Sequence, residues 1–238
     1  MPADPSSATE PDIRRVGVLL PWANQAVEEE LPQLGEPGVV FHYARLVPAS
    51  RTTAVDDAFW HGLRAAATGA VDSMRHLPLD ATVLACTSAA FTGGPELPPG
   101  VITAFDALTT VLHQRRLARI VLATPYPQPV TRAEAAALGE RGIQVLAHAS
   151  LGLDDGYPAI SPQQILDLCA SLPPAALAGA DALAGADALA GADALVLSCT
   201  GWRTLTAATA LHKRLRIPVI SSNHALAHIL PPAPGAAP

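Results

Sequence analysis

Two cysteines close nearly the same string of residues. One string is Ala81-Thr-Val-Leu-Ala-Cys86-Thr87-Ser88 and the other is Ala194-Leu-Val-Leu-Ser-Cys199-Thr200-Gly201. A thiol is an acid, its thiolate is both a base and a nucleophile, so a matched pair suits covalent addition or proton transfer from two sides. Cys169 differs: it sits in the amphipathic stretch Gln164-Ile-Leu-Asp-Leu-Cys-Ala with no turn after it, and reads as core filling. Core filling is also open to Cys86 and Cys199 taken singly, and only their matched contexts point to chemistry. Other catalytic signatures are missing. No Gly-x-Gly-x-x-Gly follows the first apolar run, and there is no Gly-Lys-Ser/Thr phosphate loop or Gly-x-Ser-x-Gly turn. His224 and His228 are four apart yet bring no third ligand, so no metal is expected and the chain reads as cofactor-free.

Each cysteine ends a short apolar, β-branched run, the pattern of a buried strand, and is followed by small polar residues suited to a turn. In open α/β sheets ligands bind at the carboxyl ends of strands, and a helix starting after the turn aims backbone N–H groups at the same point. The duplication reaches further. Val16-Gly-Val-Leu-Leu-Pro21-Trp22 is echoed by Ile120-Val-Leu-Ala-Thr-Pro125-Tyr126, and Val101-Ile-Thr-Ala-Phe-Asp-Ala-Leu by Val219-Ile-Ser-Ser-Asn-His-Ala-Leu, in the same order. Strands are expected at 16–20, 39–47, 82–86, 101–105, 119–123, 143–149, 195–199 and 217–221. Helices are expected near 24–31, 56–76, 106–116, 131–140, 162–170 and 203–214. The predicted fold is therefore α/β: two pseudo-symmetric Rossmann-like lobes with parallel sheets, 13–112 and 113–222, with the active site in the cleft between them. A closing helix near 223–230 is free to return to the first lobe.

The 238 residues are 50% hydrophobic, enough for a substantial core, and mean hydropathy is +0.27. A net charge of −6 with no Lys/Arg cluster argues against nucleic acid or an anionic membrane as partner. Three cysteines make no disulfide framework, so a reducing, cytoplasmic setting is expected. Residues 1–12 and 231–238 read as a disordered lead and tail. Residues 177–195 repeat Leu-Ala-Gly-Ala-Asp-Ala three times; Asp181, Asp187 and Asp193 rule out a spanning helix, and the glycines weaken any helix. Two of the copies, within 177–192, read as an insertion without function.

Several stretches together resemble a known group, the aspartate/glutamate racemase superfamily, and within it the branch of maleate cis-trans isomerases and arylmalonate decarboxylases. They are Gly17-Val-Leu-Leu-Pro21-x-x-Asn24, Cys86-Thr-Ser-x-x-Phe91, Ala123-Thr-Pro-Tyr126, Leu151-Gly-Leu, Ser198-Cys-Thr-x-x-Arg203-Thr204 and Pro218-Val-Ile-Ser-Ser-Asn223. The resemblance implies cofactor-independent chemistry at a carbon beside a carboxylate. Decarboxylases of the branch have glycine at the first cysteine position, and this chain has both cysteines, so it looks more like an isomerase or racemase. Cys86 and Cys199 would be catalytic. Asn24 and Tyr126 match positions that bind substrate carboxylates, and Pro21 belongs to the same loop motif.

A thiolate at a helix N-terminus has a lowered pKa, which would make Cys86 a nucleophile or base and Cys199 the acid on the other face. Backbone N–H groups and hydroxyls of Thr87, Ser88, Thr200 and Gly201 would hold the charge of an enediolate, while Thr87 and Thr200 also read as helix caps. Arg203 offers a positive charge near Cys199 or stands on the surface. Two departures from the isomerase pattern are Gly156, where an asparagine is usual, and Trp22, which narrows the pocket or stacks on a bulkier substrate. The reading is an isomerase of a small carboxylic or dicarboxylic acid, most like maleate isomerase. A racemase, an arylmalonate-type decarboxylase, a two-lobed carboxylate-binding protein and a redox-sensing pair stay open, as does homo-oligomerisation.

Overall fold

In the computed structural model, residues 13–50, 52–177 and 191–229 are described; the expected lead, the tail and the body of the repeat lie outside them. β1 (Arg14–Pro21), β2 (Val39–Leu46), β3 (Ala81–Leu84) and β4 (Val101–Thr103) form one sheet in the order β2-β1-β3-β4. β5 (Arg119–Thr124), β6 (Gln144–Ser150), β7 (Ala194–Leu197) and β8 (Val219–Ser221) form the other in the order β6-β5-β7-β8. Every pairing is parallel, and the second order repeats the first with each strand number raised by four, as the duplicated sequence requires.

The helices are α1 (Ala26–Leu34), α2 (Asp57–Ser73), α3 (Ala104–Gln114), α4 (Gln128–Glu140), α5 (Pro162–Ala170), the single turn α6 (Pro174–Leu177), α7 (Leu205–Leu215) and α8 (Ser222–Ala227). Helices cover both faces of the central strands, so these read as continuous apolar runs. Their side chains alternate between two cores. Val16, Val18, Ile120, Leu122 and Val196 enter one with α1, α3 and α8; Leu19, Leu84, Val121, Leu195 and Leu197 enter the other with α2, α5 and α7. The closing helix α8 packs on α1 and α3 of the first lobe.

Two devices recur in both lobes. The aspartate before each cysteine strand clasps the backbone of the neighbouring central strand. Arg15 N–H donates to Asp80 Oδ2 at 2.7 Å and Asp80 N–H to the Arg15 carbonyl at 2.8 Å. Arg119 N–H donates to Asp193 Oδ2 at 2.8 Å and Asp193 N–H to the Arg119 carbonyl at 2.7 Å. The last residue of β4 and of β8 then caps the helix that follows: Thr103 accepts from Asp106 N–H and Ser221 from His224 N–H, each at 3.0 Å. Thr103 and Ser221 thus cap helices, and the expected caps Thr87 and Thr200 do not. α1 also runs past the stop expected at 31. Pro32 lies within its last turn, and Gly35 N–H satisfies the Leu31 carbonyl at 2.8 Å.

Candidate active site

β3 ends two residues before Cys86 and β7 two residues before Cys199, so each lobe delivers one thiol to its sheet edge. Both thiols line one cleft of about 530 Å3, its open mouth included. Pro21, Trp22 and Asn24 from the β1 turn, Thr87 and Ser88 beside Cys86, Tyr126 after β5, and Thr200 and Gly201 beside Cys199 line it too. Of the residues expected at the site, these all converge. Arg203 does not. Its guanidinium is taken by Glu29, at 2.5 and 2.7 Å, and by the Pro158 carbonyl, and it stands outside the cleft.

The Cys86 turn is a short 3-10 segment, Ser88–Ala90, held from α2. Trp60 Nε1 donates to Ser88 Oγ at 3.0 Å, and Arg64 donates to the Ala89 carbonyl at 2.6 Å. Ser88 Oγ in turn lies 3.7 Å from Cys86 Sγ. Neither Trp60 nor Arg64 carries a sequence signal beyond its place on an amphipathic helix.

The Cys199 turn is strained. Cys199 has φ 138°, a conformation that L-residues seldom adopt. It is held by bonds on every side: Cys199 N–H donates to Ser222 Oγ at 3.1 Å, Ser198 N–H to the Ala123 carbonyl at 2.9 Å and Gly201 N–H to Cys199 Sγ at 3.2 Å. Thr200 Oγ1 reaches across the lobes to the Ala85 carbonyl at 2.7 Å and accepts from Asn24 Nδ2 at 3.3 Å. Buried Glu30 on α1 accepts from Leu205 N–H at 2.8 Å, Thr204 Oγ1 at 3.0 Å and Asn223 Nδ2 at 2.8 Å. It therefore caps α7 from the opposite lobe, a role nothing in its Glu-Glu-Glu context signals.

Two chemical expectations need correction. The thiols are not acidified at rest. Burial pushes both above the ordinary thiol value, Cys199 to about 12, and outweighs the opposing Ser88 and backbone bonds at Cys86 and the Tyr126 and Gly201 bonds at Cys199. A short 3-10 turn follows Cys86 and a loop follows Cys199, so no α-helix N-terminus offsets that penalty. The hydroxyls of Thr87 and Thr200 are also engaged: Thr87 Oγ1 donates to Ser222 Oγ at 2.9 Å and Thr200 as above. Asn24 keeps one of its two Nδ2 hydrogens for a ligand, and Tyr126, Ser88 and backbone N–H groups are the other neutral donors at the walls.

The outer wall is apolar, with Trp22, Val55, Phe59, Tyr157 and Pro158. Trp22 Nε1 donates to the Thr52 carbonyl at 3.3 Å. At the mouth the lobes meet directly: Val55 N–H donates to the Asp154 carbonyl at 2.9 Å, and Thr53 Oγ1 bonds Asp155. Gly156 has φ 79°, and a β-carbon there would meet nothing within 4 Å, so its missing side chain leaves open space. Cys169 is fully buried on α5, away from the cleft. His224 and His228 stack with ring centroids 4.3 Å apart. Among the described residues no helix is long and apolar enough to cross a membrane.

No curated protein sequence matches the chain. Among solved structures, a maleate cis-trans isomerase from Nocardia farcinica superposes with a TM-score of 0.74 at 23% identity, covering 90% of each chain; it is a cysteine-to-serine variant with a covalently bound succinylcysteine intermediate. The maleate isomerase Iso from Pseudomonas putida S16 gives 0.74 at 21% identity, again over 90% of each chain. An arylmalonate decarboxylase gives 0.62 at 22% identity, covering 89% of this chain and 88% of the other. The two-lobed fold is thus the one these enzymes share. The sequence profile of arylmalonate decarboxylases matches residues 87–230, from beside the first cysteine through the second and past α8, and the chain belongs to that family.

Proposed function

We propose that the protein is a cofactor-independent isomerase that acts on a small carboxylic acid through Cys86 and Cys199. One observation carries the reading: two thiols, delivered by equivalent strand ends of opposite lobes, line the same cleft. A substrate between them is open to attack or protonation from both faces. Ser88 and the adjacent backbone N–H groups receive charge at Cys86, and Tyr126 and Gly201 do so at Cys199.

A maleate-type cis diacid is the substrate favoured by the likeness to maleate isomerases and by Asn24 and Tyr126 at the wall. In that reaction Cys86 gives up its thiol proton to water, its sulfur forms a C–S bond at one alkene carbon, and Cys199 gives its proton to the neighbouring carbon. The single bond rotates; Cys199 takes the proton back, the C–S bond breaks and the trans diacid leaves. A second reading, racemisation of a monocarboxylate with an apolar substituent, is favoured by Trp22, Val55 and Phe59 and by the Asp155 carboxyl in the lining. There one thiolate removes the α-proton and the facing thiol supplies another.

Turnover in deuterium oxide tests both. Racemisation places deuterium at the α-carbon, whereas thiol addition converts the cis diacid with little carbon-bound deuterium. Cys86→Ser and Cys199→Ser each abolish turnover with folding intact, because a hydroxyl is far less acidic than a thiol, and Cys169→Ala retains it. Carbon dioxide release from an arylmalonate that survives Cys86→Gly would overturn the two-cysteine reading, since one acid on one face would then suffice.

A further inference from the structure

Beneath the two thiols runs a line of buried side chains that this reaction does not use. Thr87 Oγ1, next to Cys86, donates to Ser222 Oγ at 2.9 Å; Ser222 Oγ lies 3.5 Å from Ser198 Oγ, next to Cys199; and Ser198 Oγ donates to Glu134 Oε1. Ser222 Oγ also holds the Cys199 N–H. Glu134, on α4, is 0% exposed, and its Oε2 has no hydrogen-bond partner. Among the described residues no basic side chain pairs with it. A carboxylate with one hydrogen bond in such a place is far costlier than the neutral acid. The first lobe has no equivalent, because the residue before Cys86 is Ala85.

We propose that Glu134 is a positioning residue for Cys199: as the neutral acid it anchors Ser198 and with it the strained Cys199 peptide, and its ionisation withdraws Cys199 from thiolate chemistry. The inference rests on Cys199 being one of the two working thiols. Burial pushes the Glu134 carboxyl up to about 8, so it is neutral at physiological pH, and a charge on it would add to the forces that keep the Cys199 thiol protonated. The other titratable groups acting on Cys199 are Tyr126 after β5 and Cys86 across the cleft. Around Glu134, Thr131 of its own helix is bonded to Thr124 of β5 at 2.7 Å; Arg132 on α4 and His148 on β6 are exposed, and His224 on α8 stacks on His228.

The test is the pH dependence of iodoacetamide alkylation, read at each cysteine by peptide mass spectrometry in the full-length protein and in Glu134→Gln, with no substrate present. The two Cys199 profiles coincide below about 8, where Glu134 is already neutral, and part above it. On the alkaline side the variant alkylates about three- to tenfold faster at Cys199, the size of one nearby charge removed from a poorly screened site, while Cys86 moves much less. Identical profiles, or equal shifts at both cysteines, would overturn the proposal. If Glu134→Gln does not fold, the infrared carbonyl stretch of a neutral carboxyl decides on the parent protein. The band is present at neutral pH and fades as alkylation of Cys199 lags behind that of Cys86; its absence at neutral pH would overturn the proposal. Because alkylation is read without turnover, a failure of the two-cysteine reaction, which the serine variants report, is distinguishable from a failure here.

Discussion

Cys199 is the only described cysteine with a positive φ, 138°. Such a conformation costs an L-residue about 1–3 kcal/mol and persists where neighbours over-determine it, as at many active sites. Glycine is free of that cost. Cys199→Gly is therefore expected to be more stable than Cys199→Ala by about 1 kcal/mol or more, the reverse of the usual order, in which glycine is the weaker residue. Denaturant unfolding of the two variants measures it, and an alanine variant at least as stable would mean that the turn relaxes when the thiol is gone. The cysteines themselves were legible because duplication printed their surroundings twice. The groups that hold them were not. Glu30 in Ala26-Val-Glu-Glu-Glu and Glu134 in Arg132-Ala-Glu-Ala look like solvent-facing helix residues, and burial of one acid among several is decided by tertiary packing. Local context misled in the same way at Arg203, which lies near Cys199 in the chain and is paired with Glu29 in space.

At the level of elements, strand and helix order follow the hydrophobic pattern closely, and the paired strings map onto paired strands: β1 with β5, β3 with β7, β4 with β8. What periodicity does not report is the polar joinery between elements, such as the Asp80 and Asp193 clasps. Asp193 belongs to the last unit of the repeat, so that unit is structural, whatever the preceding copies do. The described residues on the two sides of the repeat body also meet directly, Ala192 N–H donating to the Ala176 carbonyl at 3.1 Å. Deleting 181–192 keeps Leu177-Ala-Gly-Ala running into an aspartate and the β7 strand. The melting temperature and turnover of that deletion are expected to match the parent. By contrast Asp193→Ala, which removes a part-buried bond to a backbone N–H, lowers stability by about 1–2 kcal/mol, more than Asp80→Ala at the exposed counterpart. Calorimetry of the three variants checks this, and a deletion as damaging as Asp193→Ala would give the inserted copies a packing role.

For the whole molecule, two buried groups shape the response to pH. Glu134 titrates at about 8 in the fold against 4.5 when unfolded, so the native state keeps an extra proton and stability falls as pH rises through that interval. His224 is lowered by burial from 6.5 to about 4, so its contribution is complete above 6.5 and is lost as pH falls toward 4. Between 4.5 and 6.5 the two slopes oppose each other and stability is flat; from 6.5 to about 8 it drops by about 2 kcal/mol, and from 4.5 down to about 4 by less than about 1 kcal/mol. The buried thiols extend the alkaline decline above 9, toward about 12 for Cys199 and Cys169. Melting curves across this range are expected to lose the decline between 6.5 and about 8 in Glu134→Gln, and a variant curve parallel to the parent there would mean that Glu134 is not the group responsible.

The internal dyad that relates the lobes fails at the chemistry, since only Cys199 is strained and only Ser198 meets a buried acid. For two substrates that are mirror images the equilibrium constant is unity, so kcat/KM must be the same in both directions however unlike the two catalytic halves are. The asymmetry then has one place to appear: kcat and KM separately, each unequal between enantiomers and each compensating the other. A reversible mirror-image reaction run by this cleft would hold one hand of its substrate longer than the other while favouring neither at equilibrium.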